Sequence, residues 1–187
     1  MHAAAGFPDT RLIVIRGNSG SGKSTIARQL QLRHGRGCAL VQQDYLRRIV
    51  LRERDLPGGA APALIETTAR FALDHGYHAI VEGILHSDKY RDMLLRLGRD
   101  HRGRTAVFYL DVSFAETLRR HQTRPQAADF TAEEMREWYQ PRDLLGAAGE
   151  HVLPEDTSLE DAIATIAEVS GLPLEERDDD FRPHLTA

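Results

Sequence analysis

The sequence predicts an α/β fold, a parallel sheet with helices on both faces, and three observations lead there. Apolar runs of strand length alternate with helical stretches along most of the 187 residues. The fourth of these runs is apolar throughout at Ala106-Val107-Phe108-Tyr109-Leu110, as burial on both faces of a sheet requires. Between the first strand and the first helix stands Gly17-Asn18-Ser19-Gly20-Ser21-Gly22-Lys23-Ser24-Thr25, which fits the phosphate-binding pattern G-x-x-x-x-G-K-S/T at every fixed position.

Taken in order, residues 11–16 read as a buried strand and 24–34 as a helix, so the glycine-rich loop meets a helix N-terminus, where the dipole favours anions. Gly35-Arg36-Gly37 breaks that helix, and 38–41 form a second strand ending at Gln42-Gln43-Asp44. A helix is expected over 45–54, a Pro/Gly loop over 55–62 and a helix over 63–74, with Gly76 as its stop. The third strand is 78–83. Ser87 is the expected cap of a helix reaching Arg99, and 104–111 is the fourth strand. Two S/T-x-x-E capping boxes, Ser113 with Glu116 and Thr131 with Glu134, announce helices on either side of a candidate mobile loop, 121–130. A short fifth strand over 150–153, a turn over 154–157 and a helix from Ser158 to near Gly171 complete the pattern. No internal repeat is visible. Residues 1–172 are expected to form a single domain, and 173–187, with its acidic run 175–180, a solvated tail.

Composition narrows the function classes. Hydrophobic residues make up 41% and charged residues 28%, and no apolar run approaches the roughly 20 residues that span a bilayer. With one cysteine, Cys38, and no basic, apolar leader at the N-terminus, a cytoplasmic protein without disulfides is expected. The net charge of −4 argues against a sequence-independent grip on nucleic acid and leaves room only for a local basic groove. The nine histidines show no metal-ligand spacing, so no structural zinc is expected.

In sheets of this kind ligands lie beyond the carboxyl ends of the strands, which directs attention to the phosphate loop, Asp44, Glu82, Asp111 and the turn at Asp156-Thr157-Ser158. Backbone amides of Gly17 to Thr25 would turn toward phosphate oxygens, Lys23 would set a charge on the outer phosphates, and Ser24 would bind Mg²⁺. Asp44 suits either a general base or a helix N-cap. Glu82 could hold Mg²⁺ through water, contact an acceptor, or simply end a strand, and Asp111 is a weaker candidate of the same kind. Arg47 and Arg48 could grip an anionic or polyhydroxylated acceptor or belong to a solvated face. Arg120 and Arg124, four apart, would share a helical face, and guanidinium forks suit phosphate oxygens; Pro125 ends that helix. Trp138 and Tyr139 could wall an acceptor pocket or fill core.

The loop, Asp44 after the second strand, Val81-Glu82-Gly83, and Leu110-Asp111-Val112-Ser113 followed by Arg120-x-x-x-Arg124 together resemble the small P-loop kinases over about residues 11–170. Within them the chain looks most like the branch of shikimate and gluconate kinases, chloramphenicol phosphotransferase, zeta-toxin-like proteins and AAA-type kinases. The resemblance implies a P-loop NTPase three-layer α/β/α sandwich, a five-stranded parallel sheet of order 2-3-1-4-5, and transfer of the ATP γ-phosphoryl group to a substrate hydroxyl. It implies Asp44 as base, Arg120 and Arg124 on a lid over about 120–130, and adenine beside Asp156, Thr157 and Ser158. The sugar-acid and shikimate signatures of that branch are not recognisable here. The leading expectation is an ATP- and Mg²⁺-dependent kinase of a small hydroxylated molecule, monomeric or homodimeric. The alternatives are a polynucleotide 5′-hydroxyl kinase and an ATP-binding regulator without an acceptor. A guanine-specific switch is excluded, because its Asn-Lys-x-Asp motif needs an asparagine beyond Asn18, the only one in the chain.

Overall fold

A computed structural model describes residues 3–122 and 131–174. Five parallel strands, β1 (Arg11–Gly17), β2 (Cys38–Gln42), β3 (His78–Gly83), β4 (Arg104–Asp111) and β5 (Glu150–Pro154), lie in the order β2-β3-β1-β4-β5. This is the order the kinase resemblance implies. Around them stand α1 (Lys23–His34), α2 (Ala61–Asp74), α3 (Ser87–Asp100), α4 (Phe114–Gln122), α5 (Ala132–Trp138) and α6 (Leu159–Ser170). Because β1 pairs with β3 on one side and β4 on the other, the loops leaving all three strands open at one crevice.

The period-2 pleat sorts β1 into two cores. Ile13 and Ile15 pack with Ile26 and Leu30 of α1 and with Ile163 and Ile166 of α6. Leu12 and Val14 pack on the opposite face with Ile65 and Leu73 of α2 and with Leu94 and Leu97 of α3. Each fully buried Ile or Leu here contributes roughly 1.5–3 kcal/mol, so the middle strand is the rigid base on which the glycine-rich loop is mounted. Cys38 lies in the first core, where burial pushes its thiol up to about 12.

Four local expectations are corrected. Instead of an α-helix over 45–54, residues Tyr45–Val50 form a π-helical turn, closed by the amide of Leu51 donating to Leu46 O. Arg52, in the left-handed region at φ 52, then ends it. The following helix starts at Ala61, two residues early, because the Glu53 carboxylate accepts from the amides of Ala60 (2.8 Å) and Ala61 (2.9 Å), and Pro62 is tolerated in a first turn. Ser87 is not a cap. His86 holds that position, while Ser87 gives its amide and hydroxyl to Asp143, a partner 56 residues away. Of the two capping boxes, the one at Thr131 and Glu134 closes in both directions. At Ser113 only the forward bond forms (3.3 Å), since Glu116 turns to Arg119 and Arg120, and the Ser113 amide goes to Glu155. Those two arginines hold the Glu116 carboxyl down at about 2.

Candidate functional site

The loop leaves β1 at Gly17 and closes onto α1 at Gly22. Gly20 has φ 81, and a Cβ there would lie 2.8 Å from Thr117 O of α4. Gly22 has φ 105, but a Cβ would meet nothing nearer than Arg120 Nη1 at 3.9 Å, so this residue keeps space open rather than avoiding a neighbour. Helix α1 carries no side-chain cap and no acid in its first turn, and the Ser21 Oγ is buried without a hydrogen-bond partner. Uncapped amides and an unspent hydroxyl at a helix N-terminus fit a phosphate chain. Lys23 is buried, and its Nζ donates to Asn18 O at 2.9 Å across the loop it closes.

Two clefts flank the loop. On one side a cavity of about 270 Å³ is lined by Ser21, Gly22, Thr25, Arg120, Thr157 and Ser158 among others. The expected adenine turn is therefore beside the loop, although Asp156 itself stays outside the lining. Arg120 spans this side, donating through Nε to Glu116 (2.6 Å), through Nη1 to Ser21 O (3.0 Å) and through Nη2 to Glu155 O (2.7 Å). Arg124 and most of the expected lid lie outside the described residues, as does the tail beyond 174.

On the other side Ser19, Gly20, Lys23 and Ser24 face Asp44 and Glu82 across about 430 Å³. Glu82 is buried and accepts from Gln42 Nε2 at 3.1 Å. A carboxylate and a hydroxyl on one cleft wall are hard oxygen donors of the kind Mg²⁺ takes, so Ser24 and Glu82 fit that ion. Among the described residues no group of three or more His, Cys, Asp or Glu is placed to hold a metal by protein ligands alone. Asp44 has helical backbone angles and makes no capping bond; its Oδ1 instead accepts from Arg47 Nη2 at 3.0 Å, and its side chain is 63% exposed. Asp111 stands apart, its carboxylate 3.7 Å from Arg142.

A third cavity of about 470 Å³ continues from the second, sharing Ser19, Asp44, Arg48 and Ile84, and extends past Arg47, Arg54 and Lys89 to Trp138. Trp138 thus lines a cavity, while Tyr139 donates its hydroxyl to Val112 O (3.1 Å) and stacks edge-on against Phe114.

Sequence reasoning missed the polar knot behind the loop. Arg16, fully buried at the end of β1, donates to Leu85 O, to Asp143 O and Oδ2, and to Glu150 Oε1. Burial lowers its pKa against the opposing pull of Asp143 and Glu150. Asn18 makes a two-way pair with Gln140, Nδ2 donating to O (2.8 Å) and Oδ1 accepting from N (2.9 Å). The phosphate loop is thereby tied to the segment after α5, two residues from Trp138. An arginine directly after the apolar run Leu12-Ile13-Val14-Ile15 is the signal the sequence offers.

A family model described as an AAA domain matches residues 12–144. No curated protein matches the chain. Among solved structures, the APS kinase of Mycobacterium tuberculosis, in complex with AMPPNP and APS, is 19% identical with a TM-score of 0.67, covering 87% of this chain and 98% of that one. A gluconokinase from Sinorhizobium meliloti is 20% identical (TM-score 0.61; 89% and 95% covered), and the tunicamycin resistance protein of Deinococcus radiodurans is 15% identical (0.61; 90% and 99%). At these identities the shared property is the fold, that of P-loop kinases. No helix among the described residues is long and apolar enough to cross a membrane.

Proposed function

The chain belongs to the AAA-domain family matched over residues 12–144, and on that premise we propose that it is an ATP- and Mg²⁺-dependent kinase transferring the γ-phosphoryl group to a hydroxyl of a small molecule. The observation that carries this reading is the division of the site by its own phosphate loop. A mixed cleft reaches Thr157 and Ser158 on one side, and a second cavity system containing Asp44 opens on the other. A pure nucleotide-binding regulator has no use for the second compartment. Phosphoryl transfer needs chiefly positioning and charge neutralisation. Mg²⁺, when bound, would neutralise phosphate charge, with Ser24 and Glu82 as the residues to hold it. Lys23 and Arg120 add positive charge beside the loop. Asp44 would take the acceptor's proton: Oδ1 is held by Arg47, and Oδ2 has no hydrogen bond within the described residues.

Screening hydroxyl compounds with purified protein and ATP·Mg²⁺, read by mass spectrometry, tests the assignment. A phosphorylated product is expected, whereas ATP hydrolysis that no hydroxyl compound accelerates would favour the regulator. ATP·Mg²⁺ alone is expected to raise the melting temperature, since a ligand at a hundredfold excess over its Kd stabilises the native state by about 2.7 kcal/mol. No shift at millimolar nucleotide would remove the central premise.

Asp44→Asn is expected to spare nucleotide affinity and lower kcat by about 10²–10⁴-fold, the range of a general base. Stability should hardly change, because the Asp44 side chain is itself largely exposed, the amide oxygen can still accept from Arg47, and no cap is lost. Wild-type kcat and KM in this variant would move the search for a base to Glu82.

A further inference from the structure

We propose that the 470 Å³ cavity beyond Asp44 is an anion subsite, so that the acceptor is a small hydroxyl compound that also carries a carboxylate, phosphate or sulfate group. This inference rests on the kinase reading for the hydroxyl, but its own support lies in how hydrogen-bonding capacity is distributed around the cavity.

The lining holds four cationic side chains, Arg47, Arg48, Arg54 and Lys89, against two acidic ones, Asp44 and Asp55. The acids are largely spent. Asp55 accepts from Lys89 Nζ on Oδ2 (2.9 Å) and from Tyr90 Oη on Oδ1 (2.8 Å), and although burial pushes its carboxyl up, these bonds hold it below the usual range. Asp44 has given one oxygen to Arg47.

The donors, by contrast, are in surplus. Arg47 uses Nη2 on Asp44 and Nη1 on Glu53 O, yet its Nε is buried without any partner. Lys89 places two of its three N–H bonds, both on Asp55. The Arg54 guanidinium, on an exposed residue, makes no hydrogen bond to a described residue, and the buried His86 Nδ1 on the same wall, a donor or an acceptor according to tautomer, also lacks one. A buried donor without a partner costs roughly 1–3 kcal/mol, and a cavity with donors to spare and few acceptors left is complementary to a ligand made of acceptors. A neutral polyol would bring hydroxyl hydrogens that find few acceptors there. The volume suits a hexose-sized or nucleotide-sized anion, and Trp138 offers an apolar wall. Asp44, shared by both cavities, would then stand between the anion and the phosphate loop, where the hydroxyl must be.

The test uses the full chain saturated with AMPPNP·Mg²⁺, so that the phosphate loop cannot take up the added anion. Calorimetric titration compares matched sets: hexose, hexonate and hexose phosphate; nucleoside and nucleoside monophosphate; polyol and polyol sulfate. At least one anionic member is expected to bind about tenfold or more tightly than its neutral counterpart. Arg54→Gln should abolish that preference while leaving neutral binding unchanged, and with ATP it should raise KM for the anionic acceptor more than it lowers kcat. Which anion wins identifies the group. Equal or weaker binding of every anionic member, absence of any anion binding at millimolar concentration, or an equal effect of Arg54→Gln on charged and neutral members overturns the subsite. So does a 5′-hydroxyl oligonucleotide that outcompetes every small anion. Anion binding without phosphorylated product would instead defeat the kinase reading and leave the subsite standing, whereas transfer to neutral acceptors with no charge preference would do the reverse.

Discussion

Lys23→Ala is expected to lower phosphoryl transfer by about 10²–10³-fold, the loss that follows removal of one preorganised charge from a transition state. The amine is already held over the loop by Asn18 O, 2.9 Å away, so little reorganisation separates it from a phosphate in the same cradle. Because Lys23 is only 7% exposed, the substitution also removes one of the two donors to the buried Asn18 carbonyl, which keeps the Ser21 amide at 3.2 Å. A stability loss of about 1 kcal/mol should therefore accompany the kinetic one, visible as a small fall in melting temperature. Rapid-quench kinetics with ATP·Mg²⁺ and the identified acceptor, alongside thermal denaturation, separates the two effects. Wild-type turnover in a folded variant would take Lys23 out of the mechanism.

What could be read from the sequence was what is local to it. The loop motif, the apolar β4 and the Thr131 capping box are encoded by neighbours, and each is found where its spacing put it. Ser87 and Ser113 carry the same kind of local signal, yet Asp143 and Glu155 reach them from 56 and 42 residues away and redirect their hydrogen bonds. Propensity cannot see such partners. The same limit explains the site. Asp44 and Lys23 follow strands and Glu82 stands next to the last residue of β3, so the strand-end rule points to them, and all three line one cleft. The cationic cavity draws Arg47 from a π-helical turn, Arg54 from a loop and Lys89 from the first turn of α3, a convergence that only the packing of three unrelated elements creates. Arg47 and Arg48 were ambiguous between solvated face and ligand contact because their identity alone does not reveal that Lys89 lines the same cavity.

The deepest of these invisible features carries the largest expected effect on stability. Arg16 is wholly buried, 127 and 134 residues from the two carboxylates it neutralises. Replacing it with leucine would leave Asp143 and Glu150 without a cation in a site whose side-chain exposures are 10% and 5%. Breaking a buried ion pair in this way costs about 3–5 kcal/mol, far more than the pair contributes relative to an apolar replacement of all its members. For a chain of this size that corresponds to a fall in melting temperature of roughly 6–20 °C. The damage should reach the site as well. Asp143 also binds Ser87 at the start of α3, and its amide donates to Tyr109 Oη, which in turn accepts from Asn18 in the phosphate loop. ATP affinity should therefore fall in any Arg16→Leu protein that remains folded. A double-mutant cycle with Glu150→Gln distinguishes charge imbalance from simple loss of packing: neutralising Glu150 in the Arg16→Leu background should recover part of the lost stability, while the same change in the wild-type background should destabilise. If the two substitutions were additive, Arg16 would be acting as a large core side chain rather than as the counter-ion that secures the loop to the strand beneath it.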